Sequence, residues 1–439
     1  MKLNKFRLLL ASTAILSIMS AAQIPALAHA KTTVTIWVPW GGHDGDYYIQ
    51  AAKDYSAANP DIDLQVSVVN GGGIAGDSAG KLATAVTGGD APDAVLYWGA
   101  GDIPGLVKAG VIQALDDKAV AAAGITSDMM LTPQVWAAGQ YDGKLYALPQ
   151  LMYDRMFYWN KDLFKAAGLD PEKPPKTLAE VDAFAAKLST KAADGSIDVL
   201  GFLPWAGQGG WDIWTSVFGG SYWDAKAGKI NLQNPATLAD LKWDATYVKT
   251  YGADALAQWT SSVGKLGQSS GGEPFVLGKL AMEMNGNWHI SFIRQFAPKM
   301  NFGVEAIPTA PGGQPNSTVV GENIWLFPAG TSNGAAVLKF INWLYQPAKA
   351  SDNADTLANI SHTKAGAAGQ KLAADPQFKL SIDVAAGPGA VFAPIVPNGN
   401  LIGNAIQPQI DAVHLGKATP EDALKQAQTD LDLAIKQGQ

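Results

Sequence analysis

The chain has 439 residues, and its 32 lysines and arginines face 39 aspartates and glutamates, for a formal net charge of −7. That acidic balance speaks against nucleic acid and anionic membrane surfaces as partners, and the length exceeds what one hydrophobic core usually organises, so two domains are expected. No cysteine is present, so the fold is expected to stand on a core of this size without disulfides.

The first thirty residues read as a secretory signal. Lys2, Lys5 and Arg7 form a basic start, Leu8 to Ile18 is a short apolar run, and Ala28-His29-Ala30 is an A-x-A cleavage site. The run is too short to span a bilayer, and no later stretch approaches that length. With no cysteine at the cleavage site for a lipid anchor, the expectation is a freely diffusing periplasmic product cleaved after Ala30. Beyond the signal only Arg155 and Arg294 remain as arginines, which leaves few guanidinium forks for a strongly anionic ligand.

Strand and helix signals alternate from there on, which predicts an α/β architecture. Thr33 to Val38 reads as a strand ending at Pro39-Trp40-Gly41-Gly42. Tyr48, Ala51, Ala52, Tyr55 and Ala58 recur at helical spacing up to Asn59-Pro60. Asp63–Val69 and Ala94–Trp98 are further strands, the latter apolar throughout as in a buried parallel strand. Thr177-Leu178-Ala179-Glu180 is a capping box. Leu238, Leu241, Ala245 and Val248 mark a helix, as do Val337, Phe340, Ile341 and Leu344. Thr419-Pro420-Glu421-Asp422 caps a last helix striped by Leu424, Ala427, Leu431 and Ile435. Gly-rich segments at 71–76, 207–210 and 267–272 read as loops.

The fourteen tryptophans carry the functional signal. Trp40, Trp98, Trp211 and Trp288 stand beside glycines at predicted strand ends, where a flat ring can serve as a platform for a ligand face. Buried packing is the competing reading for each. Trp37, Trp159, Trp243 and Trp343 fall inside strands or helices and read as packing, whereas Trp136, Trp214, Trp223 and Trp259 stay unassigned.

Two catalytic motifs fail on context. Gly71 to Gly76 matches G-x-G-x-x-G, but its acidic partner Asp93 precedes the next strand, where a dinucleotide fold wants it at that strand's end. Gly76-Asp77-Ser78-Ala79-Gly80 matches G-x-S-x-G, yet a loop separates it from the strand before. His43, His289, His362 and His414 are scattered without metal-ligand spacing. Glu283 and Glu322 are the one pair that a glycosidase reading would use, although each serves equally well as an acceptor for ligand hydroxyls.

Taken in order, several stretches resemble family 1 extracellular solute-binding proteins, the sugar receptors of ABC importers, of which maltose-binding protein is typical. These are Val34 to Trp37 with Pro39-Trp40-Gly41-Gly42, Tyr55 to Ile62, Gly89 to Val95, Gly105 to Ile112, Tyr141 to Pro149 and Tyr158 to Lys161. Gly278 to Met282 with Asn285-Gly286-Asn287-Trp288, Phe302 to Val304, Ile307 to Gly313 and Ala423 to Gln428 continue the match.

The resemblance implies a two-lobed periplasmic-binding-protein fold that clamps its ligand in a cleft crossed by three hinge segments. These would lie near Leu151–Asp154, Glu305–Thr309 and 355–365. The N-terminal lobe would be 31–152 plus 307–360, and the C-terminal lobe 153–306 plus 361–439. It also implies site residues: Trp40, Gly41, His43 and Asp44 after the first strand, Trp98 and Asp102, and Tyr153 at the first hinge. Trp205 and Trp211 would come from the second lobe, with Glu283, Asn285, Gly286 and Trp288. Glu322, Asn323 and Trp325 depart from the glycine-rich pattern usual there, and Asn398 and Asn400 mark a last lip.

Rings that pack pyranose C–H faces, with acids and amides for hydroxyls, suit a neutral carbohydrate, an oligosaccharide or glycoside by the number of platforms. The implied protein is a monomer with no cofactor and no catalytic activity, delivering its ligand to the transmembrane subunits of an ABC permease. A secreted carbohydrate-active enzyme using Glu283 or Glu322, and a receptor for a phosphodiester or polyamine, are the competing readings.

Overall fold

The alternation of strands and helices resolves into two main sheets with separate cores, beside three two-stranded ones, in a computed structural model that describes residues 31–69, 76–263 and 271–438. The expected signal at 1–30 and most of the Gly-rich stretches at 71–76 and 267–272 lie outside the described residues.

The first sheet runs in the order Ile360–Ser361, Ala147–Tyr153, Thr318–Leu326, Ala94–Trp98, Thr32–Val38, Ile62–Val68. A short strand, Ala390–Phe392, pairs in parallel with the start of Thr318–Leu326. Thr32–Val38 lies parallel to both Ile62–Val68 and Ala94–Trp98. The apolar run Ala94–Tyr97 is buried, as a covered central strand should be. The helix Gly42–Ala58 buries Tyr48, Ala51, Ala52 and Tyr55 against this sheet, the stripe its sequence presents. It ends at Asn59, whose Nδ2 donates to the Tyr55 carbonyl at 2.8 Å.

The second sheet is antiparallel, Met282–Gly286, Arg155–Asn160, Phe302–Glu305. Its helices start where the sequence supplies caps. Thr177 and Glu180 form the reciprocal capping box of Leu178–Leu188, and the Asn234 side chain accepts from two backbone N–H groups of Pro235–Tyr251.

One continuous stretch serves both sheets. Ala147–Tyr153 belongs to the first and Arg155–Asn160 to the second, with Asp154 alone between them. Asp154 is fully buried and held from both sides. Its N–H donates to Asn287 Oδ1 at 3.2 Å, its carbonyl accepts the Asn287 N–H at 3.3 Å, and Ser381 Oγ donates to its carboxyl at 2.7 Å. Asn287 Nδ2 reaches on to the carbonyl of Ala358, at 3.1 Å. The chain returns from the second sheet to the first between Glu305 and Thr318.

The stretch at 355–365, where the last crossing is expected, is bonded to both units, through Asn287 to Ala358 and through the pairing of Ile360–Ser361 with Ala147–Tyr153. His362 is buried against Tyr345 with ring centroids 4.2 Å apart, and its carbonyl accepts from the Leu131 N–H at 2.8 Å. Gln370 holds both Ser361 and Asn359, and Asp355 accepts from the N–H groups of Lys371 and Leu372. Asp375 then pairs with Arg294 of the second unit. Contacts with both units continue beyond this stretch: Leu372 packs against the second unit's core, while Ala390–Phe392 pairs with the first sheet.

The pairing of Thr318–Leu326 with Ala147–Tyr153 shifts register between Asn323 and Ile324, where Gln150 is the extra residue on the partner strand. Val320, Trp325 and Phe327 enter one core, and Ile324 and Leu326 enter another. Trp325 is fully buried, edge-on to Tyr48 at 5.9 Å and to Phe340 at 6.3 Å, with its indole N–H donated to Gln150. The expectation that it faces a ligand is corrected: it is a core residue.

Replacing Trp325 with alanine should cost about 3–5 kcal/mol, from lost burial, a cavity and an orphaned Gln150. Urea denaturation checks this through a lowered midpoint with the slope unchanged.

Candidate functional site

Two groups of aromatic rings meet where the strands of the first sheet end. In the first, Trp40 follows the opening strand and lies 6.0 Å from Trp98, centroid to centroid, with its other neighbour Tyr48 stacked at 6.5 Å. Gly45 allows this loop to press onto its helix, since a Cβ there would stand 2.4 Å from the Trp40 carbonyl oxygen. After Trp98 the chain turns back through Gly99, at φ +63°, a conformation that favours glycine. The Gly99 N–H donates to the Glu322 carbonyl at 2.8 Å. Asp102 follows, accepting from Tyr97 Oη at 2.5 Å.

The second group sits on the hinge and the second unit. Tyr153 and Trp288 meet edge to face at 5.5 Å, and the Arg155 guanidinium lies over both rings, at 5.1 and 5.2 Å. Two glycines let these rings lie flat on the backbone: a Cβ on Gly286 would meet the Trp288 ring at 2.3 Å, and one on Gly321 the Tyr153 ring at 2.3 Å. Arg155 Nη2 donates to Gln208 Oε1 at 3.3 Å, while its Nε and Nη1 are buried with no hydrogen-bond partner. Buried donors of this kind need acceptors, which a ligand in the cleft can supply. Trp211 opens the helix Trp211–Val217 and packs tilted against Tyr222 at 5.3 Å.

Burial sets the electrostatics of the acids here. It pushes the Glu322 carboxyl up to about 7 against the pull of the Ala100 N–H. Burial also raises Asp102, with Tyr97 opposing, and Asp212, with Arg155 opposing. It raises Asp44 too, with His43 opposing. A carboxyl near its midpoint at neutral pH donates as well as accepts, which suits hydroxyl ligands.

The structure thus brings together Trp40, Trp98, Asp102, Tyr153, Trp288 and Glu322, with Gly286 as the bed of Trp288. Gly41 is the exposed N-cap of the first helix, and Asp44 lies in that helix's first turn. Others are used elsewhere. His43 is exposed and contacts the carbonyl of Thr356 at 3.0 Å, tying two helices. Trp205 lies flat on His414 at 3.8 Å, and His414 bonds to Asp244 at 2.8 Å. Asn323 is buried in its strand opposite Trp98.

Glu283 and Asn285 are buried beneath the 204–210 loop. Asn285 Nδ2 donates to Glu283 Oε1 at 3.1 Å, and a Cβ on Gly207 would come within 3.0 Å of Glu283 Oε2. Glu283 also faces His289 Nε2 at 2.7 Å, and Glu273 faces Nδ1 at 3.2 Å. These three ligand atoms lie within 4.8 Å of one another. The two acids face different ring nitrogens. Burial pulls His289 down, but Glu283 and Glu273 outweigh it and hold the imidazole above its usual range.

Sequence reasoning missed Arg155, Gln208, Asp212 and Tyr222. Arg155 had a signal, as one of only two arginines beyond residue 30 and next to the first hinge.

The sequence matches the bacterial extracellular solute-binding proteins over residues 50–380. The mannotriose-bound structure of CpMnBP1 is 39% identical, covers 91% of this chain and 100% of that one, and superposes with a TM-score of 0.84. The sn-glycerol-3-phosphate-binding periplasmic protein UgpB of Escherichia coli O6:K15:H31 is 27% identical over 94% of this chain and 93% of its own length. The cyclic alpha-maltosyl-1,6-maltose binding protein of Arthrobacter globiformis shares the fold, at 20% identity and a TM-score of 0.70 over 93% of this chain and 100% of that chain.

Glu322, Asp154 and Glu273 are each raised to about 7 chiefly by burial. A raised carboxyl contributes stability that is fully present below its unfolded value and lost as pH rises through its folded one. The melting temperature should therefore fall between pH 4.5 and pH 7.5. Glu322→Gln removes one such group, worth on the order of 3 kcal/mol. It should flatten the profile and raise the melting temperature at pH 8, measured by calorimetry without ligand.

Proposed function

The chain belongs to the bacterial extracellular solute-binding proteins, and from that premise we propose that it is the sugar receptor of an ABC importer, closing two lobes over a neutral oligosaccharide. The observation that carries this reading is the pairing of Trp40 and Trp98 on one unit with Tyr153 and Trp288 at the hinge and the other. Glu322 and Asp102 stand beside the Trp98 loop, and the unpartnered donors of Arg155 beside Tyr153 and Trp288. Stacked rings supply area for pyranose C–H faces, and the polar groups give the hydroxyls direction. The mannotriose bound to the 39% identical relative supports a manno-oligosaccharide as the ligand class.

In this reading the N-terminal lobe comprises 31–152 with 307–360, and the C-terminal lobe 153–306 with 361–439. The receptor works as a monomer in the periplasm, after cleavage behind Ala30, and passes its ligand to the transmembrane subunits of a permease. Catalysis is not part of the reading. Glu283, the acid a glycosidase reading would pair with Glu322, is instead engaged by His289 and Asn285 under the floor.

One observation favours a second reading. Arg155 could hold a phosphate through its two unpartnered nitrogens, and UgpB, 27% identical, is an sn-glycerol-3-phosphate-binding protein. The same cleft holds Asp102, Asp212 and Glu322, which weakens its pull on a dianion.

Tryptophan-fluorescence titration decides between them. Mannobiose and mannotriose should give saturable shifts, and Trp40→Ala and Trp288→Ala should each weaken binding about tenfold or more. Saturable binding of glycerol 3-phosphate that falls with salt, with no response to either sugar, would sink the sugar reading.

A further inference from the structure

A second hollow, of about 600 Å³, lies on the flank of the second unit outside the aromatic cleft. Its floor is a two-stranded hairpin in which Trp223 pairs with Ile230 and Asp224 with Lys229. Its far wall is the last helix, Pro420–Gln437, and its near wall is Pro397-Asn398. Gln428 fixes helix and hairpin together, accepting from the Leu232 N–H at 2.8 Å and donating to the Ile230 carbonyl at 3.4 Å. The walls are thus set by the fold.

The lining has the chemistry of a saccharide contact. Trp223 is half-buried against the surrounding core and presents the rest of its ring to the hollow. Ile435, the last member of the final helix's apolar stripe, is 36% exposed and lines the hollow. Asp224 uses Oδ1 to accept from the N–H groups of Lys226 and Ala227, and Asp432 uses Oδ1 to accept from Gln428. Each acid retains a second oxygen for ligand hydroxyls. Lys229 is the one cation in the lining and is exposed beside Asp224, so the hollow is no anion site. A ring, an aliphatic side chain, carboxylates and amides are what the main cleft offers, in a volume within the range of small-molecule pockets.

Its position relates it to that cleft. Trp223 directly follows Tyr222, the residue against which the cleft's Trp211 packs. Asn398 stands in the left-handed region at φ 60° and opens the turn Gly399–Leu401. That turn rests on the first unit: a Cβ on Gly105 would meet the Asn400 side chain at 2.9 Å, and one on Gly399 the Gly101 carbonyl at 3.2 Å. The hollow therefore begins where the lip beside Asp102 ends. We propose that it is an outer subsite, in which the distal sugar of a chain too long for the cleft leaves over this lip and lies on Trp223. The proposal rests on the sugar-receptor reading and extends it from ligand class to ligand length.

Calorimetric titration of mannobiose and mannohexaose into the wild type, Trp223→Ala and Asp432→Asn tests it. Asp432→Asn leaves the hairpin's own bonds intact, so it keeps the test valid if Trp223→Ala unfolds. Each variant should bind mannobiose within twofold of the wild type and mannohexaose about five- to tenfold more weakly. Unchanged affinity for both sugars, or equal loss for both, would overturn the outer subsite. Failure of the wild type to bind mannobiose at all would instead overturn the sugar reading of the cleft.

Discussion

The structure turns on Asp154, the one residue between two strands that belong to different sheets. Its backbone is bonded in both directions to Asn287, and its carboxyl to Ser381. Through Asn287 the same node reaches Ala358, so strand, loop and helix from three parts of the chain converge on a single peptide. Tyr153 and Arg155 flank it, and both point into the cleft's ring cluster. Each half of the site is therefore placed by the backbone that also joins the two units, and any rotation between them passes beside the ligand groups.

Burial rather than specific pairing dominates the titration of the acids around this node. Asp154, Glu273 and Glu322 are all driven toward neutrality at physiological pH by lack of solvent. Arg155, Ser381, His289 and the Ala100 N–H only moderate that effect. Neutral carboxyls can be held in a closing cleft without the full cost of burying charge. The same acids make the folded state more dependent on pH than a surface count of charges suggests.

Much of the fold was legible because it is local. Helical stripes such as Tyr48 to Tyr55, the cap at Thr177 and the apolar strand Ala94–Tyr97 follow from periodicity and backbone chemistry alone. Glycine beside tryptophan also held physical meaning: Gly286 and Gly321 are flush against rings that no side chain could share. What was not legible depends on partners distant in sequence. Trp325 is taken into the core by Tyr48, Phe340 and Gln150, and Glu283 is claimed by His289. Trp205 is covered by His414. Arg155 was overlooked because its role comes from Trp288 and Gln208, far along the chain, and not from its own neighbours.

The ring contacts behind the first wall have a further consequence. Trp98 touches Trp40, Trp40 stacks on Tyr48, and Tyr48 meets Trp325, which meets Phe340 and, through it, Trp343. The series runs from the mouth of the site to the outer helix of the first unit. Residues in direct contact do not change independently, so on this side ligand preference and folding stability are bound into one trait. Trp288 rests on the bare backbone of Gly286 and on Tyr153, outside that series. The second wall rests instead on the second unit's core, which Trp288 packs against, so the two walls of the cleft answer to two different cores.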